Sequence, residues 1–307
     1  MVILVVGAGS IGARHAANLE ALGETAELIP WRGFDRAAVE RRSDVEAFVI
    51  ATATDVRLEL VELAAVKGWP VYIEKPLAFR RADVSAIYEA AAPVAGRSLL
   101  GFMMRYHPAV RALAETDLSD AYGFSFEIGH DVRQWRANWR FADSYAARAE
   151  GGGVLLDLCH EIDMAACLFP GLGVLGCESL GHADFPFVDF ATRVTLGRAG
   201  GPVGTVAMDY LSPMSLRRGA IRGESFVRDI DFLIPRIEGG GLTETFAFER
   251  NDMFLDAMRD FLSLVRGGEG SGHPLMPRLD RMRPVAELIA AAWEARRFHG
   301  AVGMEMG

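Results

Sequence analysis

Three side chains in this sequence combine a chemical type with a setting in which they could move protons: Lys75, Asp157 and His160. Lys75 sits in Glu74-Lys75-Pro76, directly after the apolar run Pro70-Val71-Tyr72-Ile73. That order puts an ammonium at the carboxyl end of a strand, where an open α/β sheet keeps its ligand. A lysine held there can donate to the oxygen of a carbinol or carbonyl and stabilise charge as a hydride moves to or from a nicotinamide. The alternative is an ordinary exposed lysine. His160 belongs to Gly151-Gly152-Gly153-Val154-Leu155-Leu156-Asp157-Leu158-Cys159-His160-Glu161-Ile162-Asp163. On one helix from about Val154 to Leu168, Asp157, His160, Glu161 and Met164 form a polar stripe, and Leu158, Ile162, Ala165 and Phe169 an apolar one. An imidazole exchanges its proton near neutral pH, and a nearby carboxylate orients it and stabilises its cation. The alternative has Asp157 complementing a helix amino terminus and His160 as a satisfied, partly buried residue. No metal site is expected, because the near match to H-E-x-x-H fails at Met164.

A second constellation opens the chain. Val2 to Val6 is a β-branched run without alternation, as in a strand buried on both faces, and it leads into Gly7-Ala8-Gly9-Ser10-Ile11-Gly12 and a helical pattern. Glycines in that place allow a tight turn and close backbone approach, while the helix start at Ser10 and Ile11 offers amides and a positive dipole end to a pyrophosphate. A purely structural turn is the alternative, since a chain with 33 glycines can match by chance. The acid that would hold a ribose 2′-hydroxyl after the second strand is missing. The sequence there is Ile29-Pro30-Trp31-Arg32, and an arginine can accept a 2′-phosphate, which slightly favours NADP over NAD; the alternative is a solvated surface arginine.

The elements that must position these groups follow from periodicity. Apolar runs at Ala26 to Ile29, Ala47 to Ala51, Val71 to Ile73 and Ser98 to Phe102 read as strands. Helical segments at Val56 to Lys67, closed by Gly68, and at Ala82 to Ala92 alternate with them. Alternation at this spacing predicts a doubly wound parallel sheet over residues 1–118. From residue 119 to 307 the texture changes to alternating segments, Gly123 to Ile128, Cys177 to Gly181, Ala191 to Leu196, Val203 to Tyr210 and Arg217 to Arg222, which predict an α+β domain on an open, mainly antiparallel sheet. Helices over Met253 to Val265 and Arg283 to Phe298 close the chain, separated by the glycine-rich stretch Gly267 to Gly272. The C-terminal helix is expected to pack back on the first domain.

Composition narrows the function. With 307 residues, half of them hydrophobic, two domains are expected. A net charge of -9 disfavours a nucleic-acid partner. No run approaches the roughly 20 apolar residues of a membrane span, and none resembles a signal peptide. Cys159, Cys167 and Cys177 form neither an even disulfide set nor a C-x-x-C pair, which suits a reducing cytoplasm.

The glycine fingerprint, the Glu-Lys-Pro tripeptide and a Gly-Gly-Gly-led helix bearing Asp and His occur in the same order as in the Gfo/Idh/MocA family of dehydrogenases, which the chain resembles over essentially its whole length. The resemblance implies an N-terminal Rossmann domain, a C-terminal domain built on an open sheet, and NAD(P)-dependent oxidation or reduction of a sugar, cyclitol or related substrate. It implies that Lys75, Asp157 and His160 form the proton-handling group, that Gly7, Gly9 and Gly12 make the pyrophosphate turn, and that Thr52 and Glu74 lie beside the cofactor. Arg105-Tyr106-His107-Pro108 looks like the segment that links the Rossmann domain to the substrate side, with Trp135 and Tyr145 walling the substrate pocket. Two departures stand out. His160 comes three positions after Asp157 rather than four, and Ala53 and Arg57 replace a common proline and histidine after the third strand. The stretch reading DLCHEID is similar to the DLSHEID of a branch associated with surface-glycan or nonulosonate sugars. A transient-redox lyase or glycosidase with bound NAD and a redox-silent dinucleotide-binding regulator are the competing readings. The open sheet is expected to expose a broad apolar face, buried in a homodimer or homotetramer.

Overall fold

The computed structural model describes residues 1–134 and 140–305, which form two compact units. Met1–His107 and Glu249–Ala286 make the first, and Pro108–Phe248 and Glu287–Gly307 the second. The sequence pattern placed a single boundary at residue 118. The backbone instead changes unit three times, because the segment from Glu249 to Ala286 returns to the first unit.

The first unit runs β1 (Val2–Val6), α1 (Ser10–Ala21), β2 (Thr25–Ile29), α2 (Arg36–Glu40), β3 (Val45–Ile50), α3 (Arg57–Lys67), β4 (Val71–Glu74), α4 (Arg81–Ala91) and β5 (Leu99–Gly101). All pairings are parallel and the strand order is β2-β1-β3-β4-β5. The unalternating apolar runs have their expected place: Ile3 to Val6 and Ala47 to Ile50 are fully buried, as strands with both faces covered must be. The strand order reverses between β1 and β3, so the loops after these two strands flank the crevice in which such a sheet holds a ligand. α3 stops at Gly68, whose φ of +71° makes a left-handed cap that residues with a side chain rarely adopt.

The second unit contains α5 (Pro108–Glu115), β6 (Ala121–Gly129), α6 (Val154–Asp157), α7 (His160–Leu168), β7 (Gly173–His182), β8 (Ala191–Gly197), β9 (Val203–Asp209), β10 (Leu216–Gly223), β11 (Val227–Asp231), β12 (Arg236–Gly239) and β13 (Leu242–Thr245). The chain then forms α8 (Arg250–Val265), α9 (Arg283–Glu294) and β14 (Arg297–Val302). A capping box starts α8, with the Glu249 amide donating to the Asp252 carboxylate, and Asn251 on α8 bonds Asn18 on α1 within the first unit. Strands of the second unit join in one open sheet, β13-β12-β11-β10-β6-β9-β8-β7-β14, antiparallel except at β6–β9 and β7–β14. Phe124, Phe126 and Ile128 on β6 and Val206 and Met208 on β9 are buried on the face that packs against α7.

Three expectations need correction. The segment from Val154 to Leu168 is two helices. Leu158 (φ -106°, ψ 27°) leaves the helical region, and the Cys159 carbonyl starts a new helix by accepting from the Asp163 amide. Asp157 and His160 are therefore the last and first residues of different helices rather than one stripe. The terminal helix stops at Glu294, and Arg297–Val302 is a strand parallel to β7, since pairing with an exposed edge satisfies its backbone. The second face of the open sheet is polar at its centre instead of broadly apolar. It presents Ser125, Glu127, Arg193, Thr205, Ala207 and Arg218, with Arg218 paired to Glu127 at 2.7 Å, and exposed apolar side chains stand towards its margins at Leu180, Val203 and Val227.

Candidate functional site

The glycine turn of the first unit has the shape a dinucleotide requires. Gly7 has φ +110°, and a Cβ there would collide with the Ala51 carbonyl, while a Cβ on Gly12 would collide with the Gly7 carbonyl. Among the described residues nothing lies within 4 Å of where a Cβ of Gly9 would stand, so the exposed side of the turn, with Ser10 exposed and Ile11 partly so, is open to close backbone approach. The first amides of an α-helix lack intrahelical acceptors, and α1 begins at Ser10. A pyrophosphate fits this cradle. Arg32 lies on a single helical turn directly after β2 and is exposed.

At the end of β4, Glu74 is buried and both of its oxygens are engaged. Oε1 lies 2.7 Å from His15 Nε2 on α1, and Oε2 accepts the Lys75 amide at 3.3 Å. His15 is fully buried, and its Nδ1 has no partner among the described residues. Gly101 on β5 backs the carboxylate, since a Cβ there would lie 3.1 Å from the Glu74 side chain. From α3, Arg57 Nη2 donates to the Thr52 carbonyl at 2.8 Å, and Nη1 donates to the carbonyls of Glu74, Pro76 and Leu77. Lys75 itself is half-buried. The structure thus brings Thr52, Glu74 and Lys75 together in the first unit. Arg105, Tyr106 and His107 are buried in the same unit: Tyr106 donates to Asp260 on α8 at 2.9 Å and Arg105 to the Leu275 carbonyl at 3.4 Å.

In the second unit Asp157 and His160 are both buried, at 6% and 5% exposure. The Asp157 carboxylate accepts from Tyr145 on one oxygen and from Tyr210 on the other, the latter at 2.9 Å. Tyr145 is therefore joined to Asp157, whereas Trp135 lies outside the described residues. Burial, reinforced by the Asp157 charge, holds the Tyr210 hydroxyl well above the ordinary phenol value, so Tyr210 is a neutral donor. His130, whose ring meets that of Tyr210 edge-on at 6.0 Å, is held below the ordinary imidazole value by burial, which outweighs the opposing pull of Asp157 and Asp209. Glu161 is fully buried and accepts from Arg217 Nε at 2.6 Å.

The Gly-Gly-Gly approach to α6 exists for packing. Gly153 has φ +92°, and a Cβ there would collide with the Asp189 carboxylate. Asp189 accepts from the Leu155 amide at 2.8 Å, from Thr192 at 2.9 Å and from Arg296. Burial pushes the Cys177 thiol up to about 12, and Cys159 is buried in the break between α6 and α7.

Sequence reasoning missed His15, His130, Arg217 and Tyr210 as members of these clusters, and named Arg57 only as a departure from a pattern. Tyr210 ends a predicted strand and His15 lies three residues past Gly12, which are weak signals. Their partners are 53 and 59 positions away, beyond any local pattern.

The levoglucosan dehydrogenase of Pseudarthrobacter phenanthrenivorans is 33% identical over 260 residues, 77% of this chain and 64% of its own length. An inositol 2-dehydrogenase of Acidothermus cellulolyticus is 28% identical over 185 residues, 54% of this chain and 52% of its own. The chain thus spans less than two thirds of either relative. Among solved structures, a 3-ketoreductase variant from Actinomadura kijaniata in complex with TDP-benzene and NADP superposes with a TM-score of 0.79 at 18% identity, covering 98% of this chain and 99% of that one. Levoglucosan dehydrogenase in complex with NADH and levoglucosan gives 0.76 at 18%, covering 96% and 98%. No protein-family model matches. The fold, a parallel doubly wound sheet with a mainly antiparallel open sheet, is that of these sugar dehydrogenases and reductases.

The double tyrosine grip on Asp157 has a measurable weight. Tyr210→Phe removes the 2.9 Å bond to the buried Asp157 carboxylate and should lower unfolding free energy by about 1–3 kcal/mol, and Tyr145→Phe by less because Tyr145 is half exposed. Urea denaturation of the two variants checks the order. Equal stability of Tyr210→Phe and the parent would refute it.

Proposed function

We propose that the chain is an NAD(P)-dependent oxidoreductase of the Gfo/Idh/MocA kind, acting between a hydroxyl and a carbonyl of a sugar, cyclitol or sugar-derived substrate. One observation carries this reading. The open glycine turn and the buried Glu74 beneath Lys75 lie at the carboxyl edge of one parallel sheet, joined through the 2.7 Å contact from His15 on the fingerprint helix. The sugar and cyclitol dehydrogenases among the relatives supply the substrate class. A nicotinamide dinucleotide, when bound, supplies or accepts the hydride.

The chain's own residues do the rest. Gly7, Gly9, Gly12 and the start of α1 hold the pyrophosphate, and Thr52 and Glu74 shape the neighbouring loop. Lys75 donates to the reacting oxygen and stabilises the charge that grows on it. In the second unit His160 is the group suited to exchange a proton near neutral pH, with Asp157, fixed by Tyr145 and Tyr210, three residues before it. Tyr145, half exposed, contributes to the substrate wall. Arg32 favours NADP by offering a fork to a 2′-phosphate. Three free cysteines suit a reducing, cytoplasmic setting.

The polar face of the nine-stranded sheet is the surface for a second copy. Its centre is built of small side chains, Ser125, Thr205, Ala207 and Ala220, which permit close approach of another sheet. The Arg218–Glu127 pair beside them is self-complementary under a two-fold axis.

Three measurements test these statements. Turnover with a panel of sugars and cyclitols, read from nicotinamide absorbance, should fall by about a hundredfold or more in Lys75→Ala while dinucleotide binding by calorimetry is retained. A protein that binds neither NAD nor NADP overturns the reading. Arg32→Ala should weaken NADP binding by about tenfold and leave NAD unchanged, reflecting one charge-assisted contact; equal effects on both would remove Arg32 from cofactor choice. Sedimentation should give a dimer or tetramer that Ala207→Arg dissociates, and a monodisperse monomeric parent defeats the interface.

A further inference from the structure

Arg57 is 3% exposed and opens α3, yet its guanidinium is turned to the loops that follow β3 and β4. Nη2 donates to the carbonyl of Thr52, and Nη1 to those of Glu74, Pro76 and Leu77. The Glu74 and Pro76 carbonyls stand on either side of Lys75. On the amide side, the Lys75 N–H donates to Glu74 Oε2, while Oε1 of the same carboxylate meets His15. Position 75 is thus held from one side by a buried cation on carbonyls and from the other by a buried carboxylate on an amide.

We propose that Arg57 is the positioning residue for Lys75: it clasps the main chain on both sides of that lysine and ties it to the loop at Thr52, so that the ammonium is presented from one backbone geometry. The inference rests on the reading of Lys75 as the group that meets the reacting oxygen. It assigns a role to the position at which this chain departs from the resemblance. Only a planar fork can span these acceptors. Arginine carries five N–H donors in a fixed plane, whereas an ammonium is a compact point donor and an imidazole has at most two N–H groups pointing apart. The four carbonyls come from two loops separated in sequence by more than 20 residues, and Arg57 links the Thr52 carbonyl to the Glu-Lys-Pro turn.

The clasp predicts a loss of catalytic rate without a matching loss of binding, because a small misplacement of a reacting group costs about a hundredfold. In Arg57→Lys and Arg57→Ala, kcat should fall by about that factor while KM for substrate and affinity for the dinucleotide change by less than about threefold. Millimolar guanidinium should restore about tenfold of the lost rate in Arg57→Ala, and ammonium should not. Hydrogen exchange of the 72–79 segment in the unliganded protein supplies a readout independent of turnover, and it should quicken in both variants. Parental kcat in a folded Arg57→Lys overturns the proposal, as does unchanged exchange of 72–79. A fall in dinucleotide affinity equal to the fall in kcat also overturns it, since Arg57 would then serve the binding loop. If the parent turns over no sugar or cyclitol, the functional reading fails separately, and the exchange measurement still decides whether the clasp exists.

Discussion

A parallel strand that ends in a buried turn leaves main-chain carbonyls pointing away from the sheet ladder, and each must find a donor or bear the cost of desolvation. The turn at Glu74 to Leu77 is such a place, and Pro76 removes one of its amides. Here the missing donors come from one guanidinium, that of Arg57, and the Lys75 amide goes to the Glu74 carboxylate. The lysine between them inherits a fixed backbone. The same carboxylate reaches His15 on the helix that follows the glycine turn, so the strand end and that turn are parts of one hydrogen-bonded assembly. Buried and charge-assisted, these bonds are stronger than their exposed counterparts and poorly tolerant of partial loss.

The second unit solves a similar problem with different chemistry. Asp157 ends a helix of four residues, too short to be stable by itself, and its carboxylate accepts from two phenols. Glu161, one residue past His160, meets a cation, and its pair with Arg217 pins α7 to β10. Removing either partner would strand a buried charge, so the pair fixes the location of α7 whether or not it adds net stability. Asp189 does the corresponding work for the glycine approach, receiving the amide of Leu155 and the side chains of Thr192 and Arg296 around a space that admits no Cβ.

The open sheet shows how alternation is read differently by a strand's two faces. Its inward positions are mostly apolar, while the centre of the other face carries short polar and charged residues, with the Arg218–Glu127 cross-strand pair. A half-buried antiparallel sheet produces this pattern, so an exposed apolar face was never required by the count of hydrophobic residues. Those residues are used in the inward layer and around α7.

Much of the architecture was legible without coordinates. Unbroken β-branched runs demanded strands covered on both faces, and β1, β3 and β4 are such strands. Glycines at positions 7 and 12 demanded a turn that no side chain could enter, and Gly68 demanded a helix stop. What local patterns did not reveal was the break at Leu158 and Cys159 and the strand after Glu294. Both depend on partners distant in the chain: the tyrosines that hold Asp157 and the edge of β7 that receives β14. The same holds for Arg57, which by type alone is a surface cation and only by burial a clasp. Residue type and spacing thus determined which groups could bend, bury, donate or carry charge, because those properties belong to single side chains and to periodicities of a few residues. Which donor meets which acceptor was decided by the tertiary structure, because hydrogen bonds and ion pairs act over about 3 Å of space and are indifferent to the number of residues between their partners.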